Sequence, residues 1–305
     1  MAAEVLCASR DPERHRMLLV TGATGTIGSE LARLLVESGT PFRAMVRDRA
    51  RAGSLARDGV DIVEGDFTDP ASLDRAFEGA TQLFLLAPAS DDQRALKRNA
   101  VSAARRAGLE YLVHVSAVGA AADAPMQMGR DHAAIEQALV EAGIAHTNLR
   151  PQIFMQNLLT QAGAIVHRGE FYSSTGDGRI AMVDARDVAR VAARLFEGRA
   201  GHTSPSYDIT GPEAISHAGV AAVLSGVLGR QVRYVDVTQE TVRERLAEAG
   251  VPTWLADDLV TLNAINRAGH GRHVSPAVSD ITGVPARDFA AFARDHRAAF
   301  EQAAG

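Results

Sequence analysis

The chain has a single cysteine, Cys7, and a single lysine, Lys97, so its 32 basic residues are otherwise arginine. One cysteine excludes an intrachain disulfide and a cysteine metal centre, and a reducing, cytoplasmic location is the expected one. Aromatic residues make up only 5% of the 305 residues, with one tryptophan and four tyrosines, so a local gathering of them carries information. No apolar run approaches the length of a membrane span, and no membrane association is expected. Positive charge is neither in excess nor clustered: the net charge is −5 and the arginines are spread along helical stretches. Such a surface has no long-range attraction for a phosphate backbone, and nucleic acid is not an expected partner. Internal repeats and low-complexity blocks are also missing. What is present, 46% hydrophobic and 23% charged residues, is the composition of a globular chain with ample core.

Residues 1–16 carry Arg10, Asp11, Glu13, Arg14 and Arg16 without an apolar stretch of secretory length, and read as a disordered extension ahead of a folded part beginning at Met17. The apolar run Met17-Leu18-Leu19-Val20 is followed by Thr21-Gly22-Ala23-Thr24-Gly25-Thr26-Ile27-Gly28 and then by a helical pattern. Strand, glycine turn and helix start form the arrangement that holds a dinucleotide pyrophosphate. The first glycine permits a sharp turn, the second leaves no Cβ in the way of a phosphate, and the third allows helix and strand to pack closely. Gly22, Thr24, Gly25, Thr26, Ile27 and Gly28 are therefore expected at the cofactor, with the helix N-terminus facing the anion. The spacing is G-x-x-G-x-x-G rather than G-x-G-x-x-G, so the motif draws its weight from its context.

That context is an alternation of strands near 17–21, 42–46, 61–64, 82–87, 110–116 and 145–149 with helices near 27–38, 49–57, 71–78, 91–107 and 131–142. Gly39, Gly59, Gly79, Gly108 and Gly143 stand at or just past the helix ends, where a left-handed cap is wanted. The pattern predicts an α/β fold: a doubly wound parallel-sheet Rossmann domain over 17–150, with 180–200 returning to it. After Arg150-Pro151 the regular alternation loosens. Arg47 ends the second strand, where the adenosine ribose is read. An acidic residue there would accept from the 2′-hydroxyl of NAD, whereas a guanidinium pairs with the 2′-phosphate of NADP, so NADP(H) is the expected cofactor. Asp66 and Phe67 after the third strand suit an adenine edge contact. Asp66 is also placed to cap the helix beyond Pro70.

These residues, with Leu86-Ala87-Pro88, Leu149-Arg150-Pro151, Phe154-Met155-Gln156-Asn157, Asp184-Ala185-Arg186-Asp187 and Tyr207-Asp208-Ile209-Thr210-Gly211-Pro212-Glu213, resemble the NmrA-like group of atypical short-chain dehydrogenases. The resemblance runs from Met17 to the C-terminus. It implies a Rossmann domain, a smaller C-terminal α/β portion over 151–305 that binds substrate and closes over the nicotinamide, NADP(H) as cofactor with Ala87 and Pro88 beside it, and members that are either reductases or redox-sensing regulators.

Wider relatives of that group reduce carbonyls with a Tyr-x-x-x-Lys pair, the tyrosine giving the proton. Here Tyr111, Tyr172, Tyr207 and Tyr234 are followed four places later by Val115, Gly176, Gly211 and Thr238, so the pair does not exist. In the corresponding segment stand Met128, which has no proton to give, and His132, which can bond the nicotinamide ribose, relay a proton or simply begin a helix. Ser116, ending the fifth strand, is a cofactor-side candidate before it is a catalytic one. Phe154, Phe171, Tyr172 and Trp254 are candidates for an apolar pocket wall with Met128, and Asn157, at a helix start, for orienting a substrate oxygen. His270-Gly271-Arg272-His273 has two histidines but no supporting ligands and reads as a surface loop, so no metal is expected. Two readings follow: an NADPH-dependent reductase of a ketone or quinone, of the aromatic polyketide kind, that lacks a Tyr-Lys pair, or a non-catalytic NADP(H) sensor acting through a partner protein. The sequence carries no signal for oligomeric state.

Overall fold

The computed structural model describes residues 17–198 and 205–301; the extension 1–16 and Cys7 lie outside the described residues. Seven parallel strands form the main sheet: β1 (Leu18–Val20), β2 (Phe42–Val46), β3 (Asp61–Glu64), β4 (Gln82–Leu85), β5 (Tyr111–Val115), β6 (His146–Pro151) and a seventh, Ser206–Ile209. Their order is β3-β2-β1-β4-β5-β6-seventh, so the direction of winding reverses between β1 and β4. A crevice opens there at the carboxyl ends of the strands, as in Rossmann-type α/β folds.

Helices cover both faces because the strands are apolar on both sides. Thr26–Glu37 and Ala185–Glu197 pack together on one face over Val20, Phe84, Val113 and Leu149. Pro70–Phe77, Gln93–Arg106 and Gln127–Ala142 cover the other over Leu19, Leu83, Leu85 and Leu112. All five predicted helix-ending glycines adopt positive φ, between 67° and 73°. The helix expected over 49–57 is instead a short turn, Arg49–Arg51, and a single helical turn, Ser54–Arg57, separated at Gly53 with φ 57°. The stretch 180–200 contributes helix Ala185–Glu197 to the sheet's cover, and the chain then supplies the seventh strand, which the periodicity did not announce.

Beyond Pro151 a third core forms around Phe171, Leu224, Phe289, Phe292 and Phe300. It is framed by the parallel pair Glu170–Ser173 with Arg233–Asp236 and the antiparallel pair Arg179–Ile180 with Ile215–Ser216. Helix Thr253–Arg267 reaches from this portion to helix Gln127–Ala142. Asp258 on it accepts hydrogen bonds from the backbone N–H groups of Gln127 and Met128, both at 2.7 Å. This explains why that helix starts at Gln127 and not near 131: its cap comes from a carboxylate 130 residues away and leaves no local signal. Among the described residues no helix is long and apolar enough to cross a membrane.

Candidate cofactor and acceptor site

The glycine turn is built on Thr21, a fully buried residue at the end of β1. Its Oγ1 lies 2.9 Å from Phe84 O and accepts from Leu86 N at 2.9 Å, which locks the ends of β1 and β4 together at the crevice. Gly22 has φ 65°, and a Cβ there would lie 3.0 Å from Leu86 O. Gly28 is the tightest point: a Cβ would stand 2.1 Å from Gly22 O and 2.9 Å from Ala23 Cα. Thr24, Gly25 and Thr26 form an exposed crest, while Ile27 turns into the core. The helix starts at Thr26 behind Gly25 with no side-chain cap and no acidic residue in its first turn. Its backbone donors and the positive end of its dipole therefore face the crevice, as an anion requires.

Arg47 is exposed at the end of β2, and its guanidinium has no hydrogen-bond or ion-pair partner among the described residues. It faces Asp66 across the crevice mouth closely enough to favour that carboxylate's charged form. Asp66 is held below the usual carboxylate range chiefly by the backbone N–H of Thr68 and then by the Thr68 hydroxyl. Both bonds, 2.8 Å each, fall on Oδ1 and leave Oδ2 free to accept. The cap of the helix beyond Pro70 is Asp69, which accepts from Ala71 N at 3.0 Å, so Asp66 does not cap it. Phe67 is buried in the second core with Met45, Leu73 and Phe77, and its carbonyl accepts from Asn99 Nδ2 at 2.9 Å. Ala87 is buried and Pro88 exposed just past β4. An uncapped helix start, a glycine-only turn, an unpartnered guanidinium and a free carboxylate oxygen together fit a dinucleotide with a 2′-phosphate.

Ser116 at the close of β5 is buried and donates its hydroxyl to Glu136 Oε1 at 2.6 Å. Glu136 in turn receives Arg150 through Nε (2.9 Å) and Nη2 (2.5 Å). The Ser116 hydroxyl hydrogen is thus directed at Glu136. One turn along the same helix from Met128, which is partly exposed, lies His132, 8% exposed. Its Nδ1 is sealed from solvent with no partner among the described residues, and burial pushes the imidazole well below its ordinary pKa. The fold therefore brings Met128, His132 and Ser116 to one helix–strand junction. Trp254, one helical turn before Asp258, shares the face of its helix that caps Gln127 and Met128.

The other pocket candidates are dispersed. Phe171 is fully buried in the third core, against His217 and Tyr234 at 5.7 Å each, and cannot line a cleft. Tyr172 faces outward, its hydroxyl on Glu170 at 2.8 Å and its ring under Arg245 at 4.2 Å. Alternation along one strand puts them on opposite faces. Phe154 is partly buried beside the first core and bridges to Val183. Asn157 does not begin a helix: it is exposed, third in the 3₁₀ segment Met155–Gln161. His270 and His273 are exposed in the loop after helix Thr253–Arg267.

The sequence reading missed a buried polar layer beneath the junction. Lys97, in mid-helix, is 1% exposed, with Nζ 3.1 Å from His114 Nε2 and 3.2 Å from Val115 O. His114, at 0% exposure, holds Asn148 Oδ1 at 3.1 Å through Nδ1. His114 and Asn148 are in register on β5 and β6. The available signal was a histidine in the apolar run Leu112-Val113-His114-Val115, which a buried strand carries only when the polar group meets a partner.

The NmrA-like family model matches residues 14–281. The chain is 43% identical to the NAD(P)H azoreductase of Xenophilus azovorans, over 93% of this chain and 99% of that protein. It is 36% identical to a (4-alkanoyl-5-oxo-2,5-dihydrofuran-3-yl)methyl phosphate reductase of Streptomyces griseus, over 93% and 99% of the two chains. Its fold superposes with a TM-score of 0.83 on the NADPH complex of an Escherichia coli quinone oxidoreductase, at 29% identity over 92% of this chain and 99% of that one. With the family model matching most of the chain and relatives matching it over nearly their full length, the chain belongs to the NmrA-like family.

Proposed function

We propose that this protein reduces electron-poor acceptors of the quinone or azo type with NADPH. It is an NAD(P)H-dependent oxidoreductase, as its full-length similarity to named reductases supports. NADPH, when bound, supplies the hydride. Thr24, Gly25 and Thr26 receive its pyrophosphate at the helix start, Arg47 its 2′-phosphate and Asp66 Oδ2 its adenine amine. His132 and the end of β5 border its nicotinamide end, and Met128 and Trp254 exclude water from the acceptor's side.

The observation that carries the acceptor class is the state of Ser116. Its hydroxyl is turned onto Glu136, and Met128 stands where relatives place a tyrosine, so neither gives a donor aimed at a developing alkoxide. Loss of one such donor costs about 2.7–4 kcal/mol, or roughly 10²–10³ in rate. A quinone spreads the new charge over its ring and an azo group accepts it on nitrogen beside an aromatic system. A ketone with an adjacent phenol, as in aromatic polyketides, polarises its own carbonyl through an internal hydrogen bond. Each of these evades the missing donor.

The test is NADPH consumption with a panel of quinones, azo dyes, phenolic aryl ketones and simple dialkyl ketones. The expected result is multiple turnover with the first three classes and rates at least about 10²-fold lower with dialkyl ketones. Equal rates with dialkyl ketones would overturn the acceptor class. Should no acceptor consume NADPH while a partner protein binds differently to the NADP⁺ and NADPH forms, the sensor reading replaces the enzyme.

A further inference from the structure

Lysine is almost never buried without a carboxylate partner, because its ammonium loses its hydration. Lys97 is buried in that way. The two acidic groups that face it from helix Gln127–Ala142 are both engaged elsewhere: Asp131 with Arg94 at 2.8 Å, and Glu136 with Arg150 and Ser116. Its own bonds go to His114 Nε2 and Val115 O. Because Asn148 Oδ1 accepts from His114 Nδ1–H, His114 Nε2 carries a lone pair and accepts from Lys97. Three donors on the ammonium thus meet two acceptors. Close by, His132 Nδ1 is sealed without a partner, and its ring lies 5.8 Å from that of His114. A lysine donor without an acceptor and an imidazole nitrogen without a partner among the described residues therefore lie near each other, close enough for the Lys97 charge to lower the His132 pKa.

We infer that Lys97 is the proton store of this reductase and that His132 passes its proton to the acceptor only after hydride transfer, so that the charge still develops without a donor, as the acceptor class above requires. This rests on the reductase reading above. With hydride added to one atom of the acceptor's double bond, the electron pair of that bond moves to the other atom. That atom takes the proton on His132 Nε2 as Lys97 gives one to His132 Nδ1, so the imidazole, which burial keeps neutral, stays neutral through the transfer. The neutral amine left at Lys97 regains its proton from solvent, so each turnover consumes one NADPH and one proton. Lys97 touches neither cofactor nor acceptor and acts through His132. Burial pushes Lys97 down to about 7, opposed by Asp131 and Glu136, so that it can release a proton near neutral pH. Of the other charged groups around it, Arg94 and Arg150 are held by those two carboxylates, and His114 is kept neutral by burial and by Lys97 itself.

A single lysine makes a direct test available. Protein labelled only at lysine gives one side-chain NMR resonance, expected to titrate near neutral pH in the cofactor-free protein. A midpoint near 10.4, that of a solvated lysine, would overturn the inference. In turnover with an azo dye, kcat of the wild type is expected to fall as pH rises through the same midpoint. Lys97→Met should lower kcat roughly ten- to a hundredfold at neutral pH and abolish that limb while leaving NADPH affinity unchanged. Lys97→Arg, which keeps the charge but cannot release the proton, should behave like Lys97→Met. If the arginine variant restores the wild-type rate and profile, Lys97 is only a buried charge and the inference fails. Wild-type turnover with both variants unaffected also overturns it and leaves the reductase standing. Absence of turnover with every acceptor overturns the reductase and the relay together, whatever the resonance does.

Discussion

Replacing Arg47 by alanine should separate the two nicotinamide cofactors without touching the fold. The guanidinium is exposed and has no partner among the described residues, so no intramolecular bond is lost and the melting temperature should stay within experimental error. The loss falls on the 2′-phosphate alone. A hydrogen bond to a charged group is worth about 1.5–3 kcal/mol, and full exposure puts Arg47 at the lower end, about 1.5–2 kcal/mol, because solvent screens the pair. NADPH affinity should therefore drop roughly ten- to thirtyfold, while NADH affinity is unchanged. Raising the salt concentration should narrow the wild-type preference in the same direction. Calorimetric or fluorescence titration of both proteins with both cofactors measures all four constants. Equal affinity of the wild type for NADH and NADPH, or a parallel loss of both in Arg47→Ala, would refute the assignment of this residue to the phosphate.

Gly28→Ala should abolish cofactor binding and lower the melting temperature. Its Cβ would meet Gly22 O at 2.1 Å and Ala23 Cα at 2.9 Å, backbone that cannot yield without opening the turn, at a cost of about 1–3 kcal/mol or more; a variant with wild-type melting and affinity would contradict the close-packed turn. His217 gives a pH dependence of stability. Burial pushes its imidazole from 6.5 down to about 4, so between those values the unfolded chain binds the proton and the folded one does not. Stability is then full above pH 6.5 and declines as pH falls through 4. His217→Phe, set between Phe171 and Tyr234, should show a flatter melting profile over that window, and an unchanged slope would rule out His217 as its source.

The local code carried the alternation of strands and helices, because the period of apolar residues and the glycines that end helices are properties of a few neighbouring positions. It carried the phosphate turn for the same reason: Gly22, Gly25 and Gly28 act within one strand–turn–helix unit. What depended on residues far apart in the chain was not legible. The start of helix Gln127–Ala142 is set by Asp258, the seventh strand by the return of Ser206–Ile209 to β6, and the exclusion of Phe171 from the crevice by the packing of the third core. The polar layer of Lys97, His114 and Asn148 is the clearest case. In sequence none of the three has its partner nearby in the chain, and a lone lysine on an amphipathic helix reads as solvated. Only when the sheet aligns His114 with Asn148 and the helix lays Lys97 across them do their donors and acceptors meet. Hydrogen bonding between buried groups is a property of three-dimensional neighbours, and no periodicity along the chain encodes it.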